Sequence, residues 1–368
     1  MVKCYVCQAE IKSEVIYTEH ILLNSLGGKL KSESLICQIC SPSFDKIDAA
    51  LSKQLNFVGL LLNIRRDRGK NPDIRAAINE TGEEIFISAG GKPVPIKPTI
   101  NISNLDEKLH FSLQARDEKQ MKEVLHGLKR KYPDLDVQQL LQTAVVRREY
   151  LSNPVHYSGT VGGDEAFRAI CKMAINFYMY KGGIRDYISH LISYIKDGQL
   201  KNCVWHYYPD ELTALNGENF NFFHTLLVKG DPLEHILYAY IELFSSFKFL
   251  ILLSDRYFGG SFEATYSFDV INNNSLDRKI DITLFRNEIL EIIRKQPLPV
   301  QRINKTMLDL KEAIILKQTD DYLGQLTREL VEDYFKDIPE GSIFDEKMMA
   351  ELSSRFAEAF VTFMYRVG

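Results

Sequence analysis

The sequence has no long apolar run free of charge. Its most hydrophobic stretch, Leu233 to Leu253, is interrupted by Glu234, His235, Glu242 and Lys248. A membrane span does not tolerate charges at those depths, so the stretch is read as buried core and no membrane association is expected. Charge of one sign is not in excess either: 45 Lys and Arg against 49 Asp and Glu leave a net −4. That excludes a bulk polycation that coats nucleic acid but permits a local basic face. Repeats and low-complexity tracts are absent. With 45% hydrophobic and 26% charged residues, the composition excludes intrinsic disorder, collagen-like structure and coiled-coil arrays. A GxGxxG or P-loop pattern is missing, so ATP use is not indicated. The opening MVKCYVCQAEIKSE carries charges and lacks the apolar core of a secretory signal, which makes the cytoplasm the expected compartment.

Cysteine is scarce, six in 368 residues, too few for a disulfide scaffold. Four of the six form two Cys-x-x-Cys pairs, Cys4/Cys7 and Cys37/Cys40, with residues 8–36 between them. A two-residue spacing lets one tight turn aim both sulfurs at a tetrahedral ion, and two such turns complete a Cys4 zinc site. The spacer exceeds the commonest length, so something folded lies between the knuckles. So small a head has little core of its own, and Zn2+ would supply much of its folding free energy. Cys171 and Cys203 read as buried single thiols.

The length exceeds one compact core and suggests two or three domains. The division expected is a zinc-bound head at 1–58, a connecting α/β region at 59–155, and an α+β regulatory or recognition domain at 156–368. In the connecting region, Glu84–Ser88, Thr99–Ile102 and 108–113 read as short strands, and Asp117–Tyr132 and Val137–Leu151 as helices. Asp164–Lys181 is apolar nearly all round and reads as a buried helix, followed by another over Ile184–Lys196. Four aromatic, β-prone segments (Cys203–Tyr208, Phe220–Val228, Leu233–Leu253 as two strands, Phe262–Val270) suggest an antiparallel sheet. Beyond residue 280 the pattern is helical. The fold class expected is α+β, a small ββα-metal head before a larger mixed domain with an antiparallel sheet and C-terminal helices.

Between the knuckles runs Thr18-Glu19-His20-Ile21-Leu22-Leu23-Asn24-Ser25-Leu26-Gly27-Gly28, and after them Leu35-Ile36 precede Cys37, with Phe44, Ile47 and Asp48 trailing Cys40. From Cys4 to Leu51 this order resembles the HNH endonuclease family, in the branch where a Cys4 zinc supports the ββα-metal fold. The resemblance implies His20 as the base that deprotonates water for attack on a scissile phosphate. It implies Mg2+ or Mn2+ on a phosphate oxygen and the departing 3′ oxygen, with Glu19 binding or orienting that ion. Gly27 and Gly28 would make the turn between the two strands. The sequence also departs from the family. Ser41, followed by Pro42, stands where Asn or His usually completes the metal site, Ser34 stands at the middle Asn, and Leu23 replaces a Pro. Asp45 or Asp48, on a helix starting near Ser43, would compensate.

Two basic clusters follow. Arg65, Arg66, Arg68 and Lys70 come directly after the head and are the candidate DNA contacts. Lys129-Arg130-Lys131 lies at a helix end, where it also suits the macrodipole, and Arg147-Arg148 is a weaker pair. The 18 tyrosines and 21 phenylalanines, many within 205–268, read as sheet packing or as a stacking platform. His206, His224 and His235 lack ligand spacing. The first functional reading is therefore a metal-dependent endonuclease acting on DNA, in the manner of modular restriction or phage-defence enzymes. Its body would choose the substrate or restrain the head until an activating ligand or protein partner binds, and a homodimer would help cut both strands. The second is a zinc-containing nucleic-acid-binding protein that lost cleavage through Ser34 and Ser41, and the third is a structural subunit.

Overall fold

The computed structural model describes residues 2–11, 17–78, 81–105, 108–145, 151, 153, 155–199, 201–209, 221–278 and 280–367. Its N-terminal elements are short. Strands β1 (Glu19–His20) and β2 (Lys31–Ser32) form a two-residue antiparallel ladder, Glu19 opposite Ser32 and His20 opposite Lys31. The chain turns between them through a 3-10 turn at Asn24–Leu26 that ends on Gly27 at φ +86°, where the left-handed conformation costs glycine least. Gly28 serves differently. Its φ is not positive, but a Cβ there would run into the Leu22 carbonyl. Another 3-10 turn, Ser41–Phe44 with Pro42 in its first turn, leads into helix α1 (Asp45–Leu61). Asp45 and Asp48 in the first turn of α1 suit its positive end. Ile47, Leu51, Leu55 and Val58 are buried at helical spacing.

A four-stranded sheet follows, ordered β5 (Lys92–Pro95), β4 (Glu84–Ser88), β3 (Ile74–Ile78), β8 (Val155–His156). Its inner residues Ala76, Ile78, Ile85 and Ile87 pack with Leu60 of α1. Strands β6 (Thr99–Leu105) and β7 (Lys108–Gln114) form a separate hairpin. Helix α2 (Glu118–Leu128) is capped by the Asp117 carboxylate, and α3 (Val137–Thr143) by that of Asp136. Helix α3 is shorter than the sequence suggests. It ends at Thr143, where Ala144 is extended, and Arg147 and Arg148 lie outside the described residues.

Helix α4 (Asp164–Tyr180) accounts for its own apolar composition. It packs against α1 on one side and against the large sheet on the other, so nearly every face is covered. The helix expected over Ile184–Lys196 is instead two 3-10 turns, Arg185–Tyr187 and Ser189–Leu191, before α5 (Ile192–Asp197). A tertiary contact goes with this: Arg185 Nε donates to the Tyr5 carbonyl at 2.6 Å, tying the segment to the first zinc knuckle.

The large sheet is antiparallel throughout, ordered β14 (Asn274–Leu276), β13 (Phe262–Asp269), β10 (Phe223–Asp231), β11 (Ile236–Leu243), β12 (Phe247–Ser254), β9 (Val204–His206). Every residue of β11 is buried, because α4 covers one face and helix α6 (Arg286–Lys295), with Ile280 and Ile282, the other. That double cover is why this stretch reads as one apolar run. Glu242 within it is buried and ion-paired to Arg278 at 3.4 Å. Helices α7 (Val300–Phe335) and α8 (Glu346–Val367) complete the chain. The chain divides into two compact units, Met1–Met307 and Leu308–Gly368. In the second, Tyr334 OH donates to the Met348 carbonyl at 3.0 Å, and Tyr322 stacks on Phe363. Among the described residues no helix is long and apolar enough to cross a membrane. The fold class is α+β, with antiparallel sheets and C-terminal helices.

Candidate active site

The four knuckle sulfurs converge. Cys4 and Cys40 are buried and Cys7 is exposed, yet the ligand atoms of Cys4, Cys7, Cys37 and Cys40 all lie within 4.8 Å of one another. Local hydrogen bonding builds each knuckle. Gln8 N–H donates to the Cys4 carbonyl at 2.9 Å, and the N–H groups of Cys40 and Ser41 donate to the Cys37 carbonyl at 3.0 and 3.1 Å. Sulfurs around a tetrahedral zinc, at about 2.3 Å from the metal, stand about 3.8 Å apart, and Cys7 Sγ to Cys37 Sγ is 3.7 Å. The donor set fits Zn2+ in number, chemistry and spacing.

Strand β1 sends its two side chains to opposite faces. Glu19 turns into the protein and is 4% exposed. Its Oε1 lies 2.7 Å from Lys172 Nζ and accepts from Asn176 Nδ2 at 3.3 Å, while its Oε2 accepts from Tyr17 OH at 3.0 Å. Tyr5 OH in turn donates to Asn176 Oδ1 at 2.7 Å. His20 faces the other way. Its Nε2 sits 3.5 Å from Asp67 Oδ2, too far for a well-formed hydrogen bond, and has no hydrogen-bond partner among the described residues. Burial lowers the His20 pKa below that of a free imidazole, against the opposing pull of Asp67. The ring is therefore neutral at pH 7.

Ser41 Oγ is hydrogen-bonded to Tyr17 OH. Asp48, one turn into α1, gives Oδ2 to Lys172 at 2.6 Å, while its Oδ1 has no partner among the described residues. Burial raises the Asp48 pKa even though the Lys172 ammonium pulls it down. For Lys172 the balance falls the other way: desolvation opposes its charge, but Asp48 and Glu19 outweigh it and the pKa is raised. Lys172 is 2% exposed and remains an ammonium.

Glu19, His20, Ser41 and Asp48 all line one pocket, with Tyr17 and Asn24 at its wall. Its open volume of about 170 Å3 is enough for a phosphate and a few waters, since one water takes about 30 Å3. Ser34 is exposed, bonded to Ser32, and not part of this lining. Of the basic cluster, Arg65, Arg68 and Lys70 are exposed, whereas Arg66 donates to Asn56 Oδ1 at 2.8 Å and is half-buried. The loop carrying them borders the pocket, because Asp67 N–H donates to Asn24 Oδ1 at 2.8 Å and Asp67 pairs with Lys29.

The donors do not fit the divalent ion that the sequence resemblance implies. A hard ion such as Mg2+ demands near-octahedral oxygen ligation and keeps several waters. Both Glu19 oxygens, one Asp48 oxygen and the Ser41 hydroxyl already have partners. Asp48 Oδ1 is the carboxylate oxygen left over.

Lys172, Asn176, Tyr17, Tyr5 and Asp67 were not singled out by sequence. One signal was available: Lys172 sits in the middle of a helix that is otherwise apolar nearly all round, and a buried lysine calls for a carboxylate partner.

Hairpin, loop, thiolate cluster and helix around one carboxylate–imidazole pocket define a small Cys4 ββα head packed on an α+β body. Residues 4–56, which make up that head, match the family model of the HNH endonucleases. Nuclease chemistry is thereby supported for the head at family level. No curated protein and no solved structure matched the chain.

Proposed function

We propose that the protein is an endonuclease whose head hydrolyses DNA phosphodiester bonds with His20 as general base. One observation carries this reading: a neutral imidazole, whose buried Nε2 has no hydrogen-bond partner among the described residues, belongs to the lining of a small polar pocket inside the segment that matches the HNH model. With the ring protonated on Nδ1, the Nε2 lone pair takes a proton from water as that water attacks phosphorus. The P–O3′ bond then breaks, the departing oxygen takes a proton from solvent water, and His20 returns its proton to solvent. Tyr17 gives its proton to Glu19 and therefore accepts from Ser41, so these two hydroxyls brace the Glu19 side of the pocket. Arg65, Arg68 and Lys70, on the loop whose Asp67 N–H holds Asn24 of the pocket wall, would follow the backbone, whereas Arg66 serves the fold through Asn56. DNA as substrate, a cytoplasmic place in restriction or phage defence, paired heads in a homodimer and an activating partner for the body belong to the same proposal.

A second reading has its own support. With Glu19 and Asp48 held by Lys172, the head could bind nucleic acid through a zinc-stapled fold without cutting it. Plasmid cleavage by wild type and His20→Ala at equal zinc content, with Mg2+, with Mn2+ and without either, separates the two. Activity lost in His20→Ala supports the endonuclease and its base. Equal cleavage by both proteins sinks the assignment of His20. Retained DNA binding with no cleavage by either favours the second reading.

A further inference from the structure

We infer that Lys172 is the head's resident cation: its ammonium takes the place between Glu19 and Asp48 that a divalent ion would fill, and the folded head takes up no such ion there. The inference rests on the HNH reading of residues 4–56 and deepens it. The lysine belongs to α4 of the body, far in sequence from both carboxylates, and it reaches them at 2.7 and 2.6 Å.

Three features make this more than an incidental ion pair. First, the ammonium is enclosed. Lys172 is 2% exposed, its flanking residues Cys171 and Met173 are fully buried, and its Nζ lies 5.3 Å from the centre of the Phe44 ring. It cannot swing to solvent unless α4 moves. Second, the charge is matched in part: two carboxylates and one ammonium leave a single negative charge, where a divalent ion would otherwise meet two. Third, both Glu19 oxygens are engaged. Asn176 and Tyr17 donate to them beside Lys172, and Tyr5 fixes the Asn176 amide. A hydrated octahedral ion would have to displace these donors as well as the ammonium to gain Glu19 as a ligand.

A simple structural role would leave metal binding untouched when Lys172 is changed, which makes the two accounts separable. The probe is Mn2+, followed by electron paramagnetic resonance on the zinc-loaded full chain, with no cleavage read. Wild type should leave added Mn2+ free. Lys172→Gln keeps hydrogen-bond donors toward both carboxylates but removes the charge. It should gain one bound Mn2+ per chain, at least about tenfold tighter than any wild-type binding, and its unfolding midpoint should rise with Mn2+. Adding Asp48→Asn to it should abolish the gain. Lys172→Met, which frees the carboxylates entirely, repeats the test and stands in if the glutamine variant does not fold.

Two results would overturn the inference. One is stoichiometric Mn2+ binding by wild type that Glu19→Gln or Asp48→Asn removes. The other is a folded, zinc-loaded Lys172 variant that gains no Mn2+. Neither depends on whether the head cleaves DNA, so the nuclease reading stands or falls separately.

Discussion

At the residue scale, the head's two motif residues have opposite environments because a strand alternates its faces. Glu19 is drawn into a buried network of Lys172, Asn176 and Tyr17, whereas His20 Nε2 has no hydrogen-bond partner among the described residues. Burial disfavours the imidazolium, and Asp67 at 3.5 Å opposes that effect without overcoming it. His20 should therefore titrate below the ordinary value of about 6.5 in an NMR pH titration of its ring protons. Asp67→Asn should move it lower still, because the mutation removes the carboxylate that most favours the charged ring, ahead of Glu19. An upward movement in Asp67→Asn would show that burial is not what sets this pKa. If His20 is the base, activity should persist on the acid side past the point where a free imidazole fails.

At the element scale, the head is fastened to the large sheet by a histidine that the sequence left without a role. His224 on β10 is fully buried. Its Nδ1 accepts from Phe244 N–H at 3.2 Å, so Nε2 carries the proton and donates to the Leu26 carbonyl at 2.9 Å, in the loop between β1 and β2. Burial pushes its pKa down to about 4, with the Leu26 contact pulling slightly the other way. The folded value lies below the unfolded one near 6.5. The unfolded chain then binds a proton that the folded chain refuses as pH falls from 6.5 toward 4. Stability is full above about pH 6.5 and declines through that window, by on the order of 3 kcal/mol at most. Urea midpoints at pH 7.5 and 4.5 should differ less in His224→Gln than in wild type. Equal pH dependence in both proteins would remove His224 from the account.

For the molecule as a whole, the family-model match stops at Asn56, but the structural dependence of the head does not. Helix α1 packs on α4, Gln54 exchanges hydrogen bonds with the Gly162 backbone at 2.8 and 2.9 Å, and Arg185 holds the first knuckle. Zinc and body should therefore share the stabilisation of the head. Stripping zinc from the full chain should cost hydrogen-exchange protection in 19–62 while strands β10 to β12 stay protected, because the sheet has its own covered core. A fragment of residues 1–62 should hold zinc more weakly than the full chain, as a competition titration with a chelator would show. Equal affinity in the two would mean that the head folds independently of α4.

Much of this was legible in the sequence, for local physical reasons. Paired Cys-x-x-Cys spacing specifies a thiolate cluster because a tight turn fixes where two sulfurs can point, and the four sulfurs do meet. The Glu19-His20 pair, the glycines after it and the helix carrying Asp48 were expected from the family resemblance of the motif order. The strands of the large sheet and the C-terminal helices follow from strand and helix patterns that operate over a few residues. The exceptions mark where distant contacts override local preference. Ile184–Lys196 has the composition of a helix but breaks into turns, and Arg185 in it reaches the Tyr5 carbonyl. Gly28 is needed for space beside Leu22 and not for its dihedral angles. What only the tertiary structure decided is the state of the site. Lys172 lies 153 residues from Glu19 and 124 from Asp48, and Lys29 lies 38 from Asp67. No periodicity spans such separations. Sequence placed the carboxylates and the imidazole in one head; the packing of α4 against α1 decided that an ammonium already sits between those carboxylates.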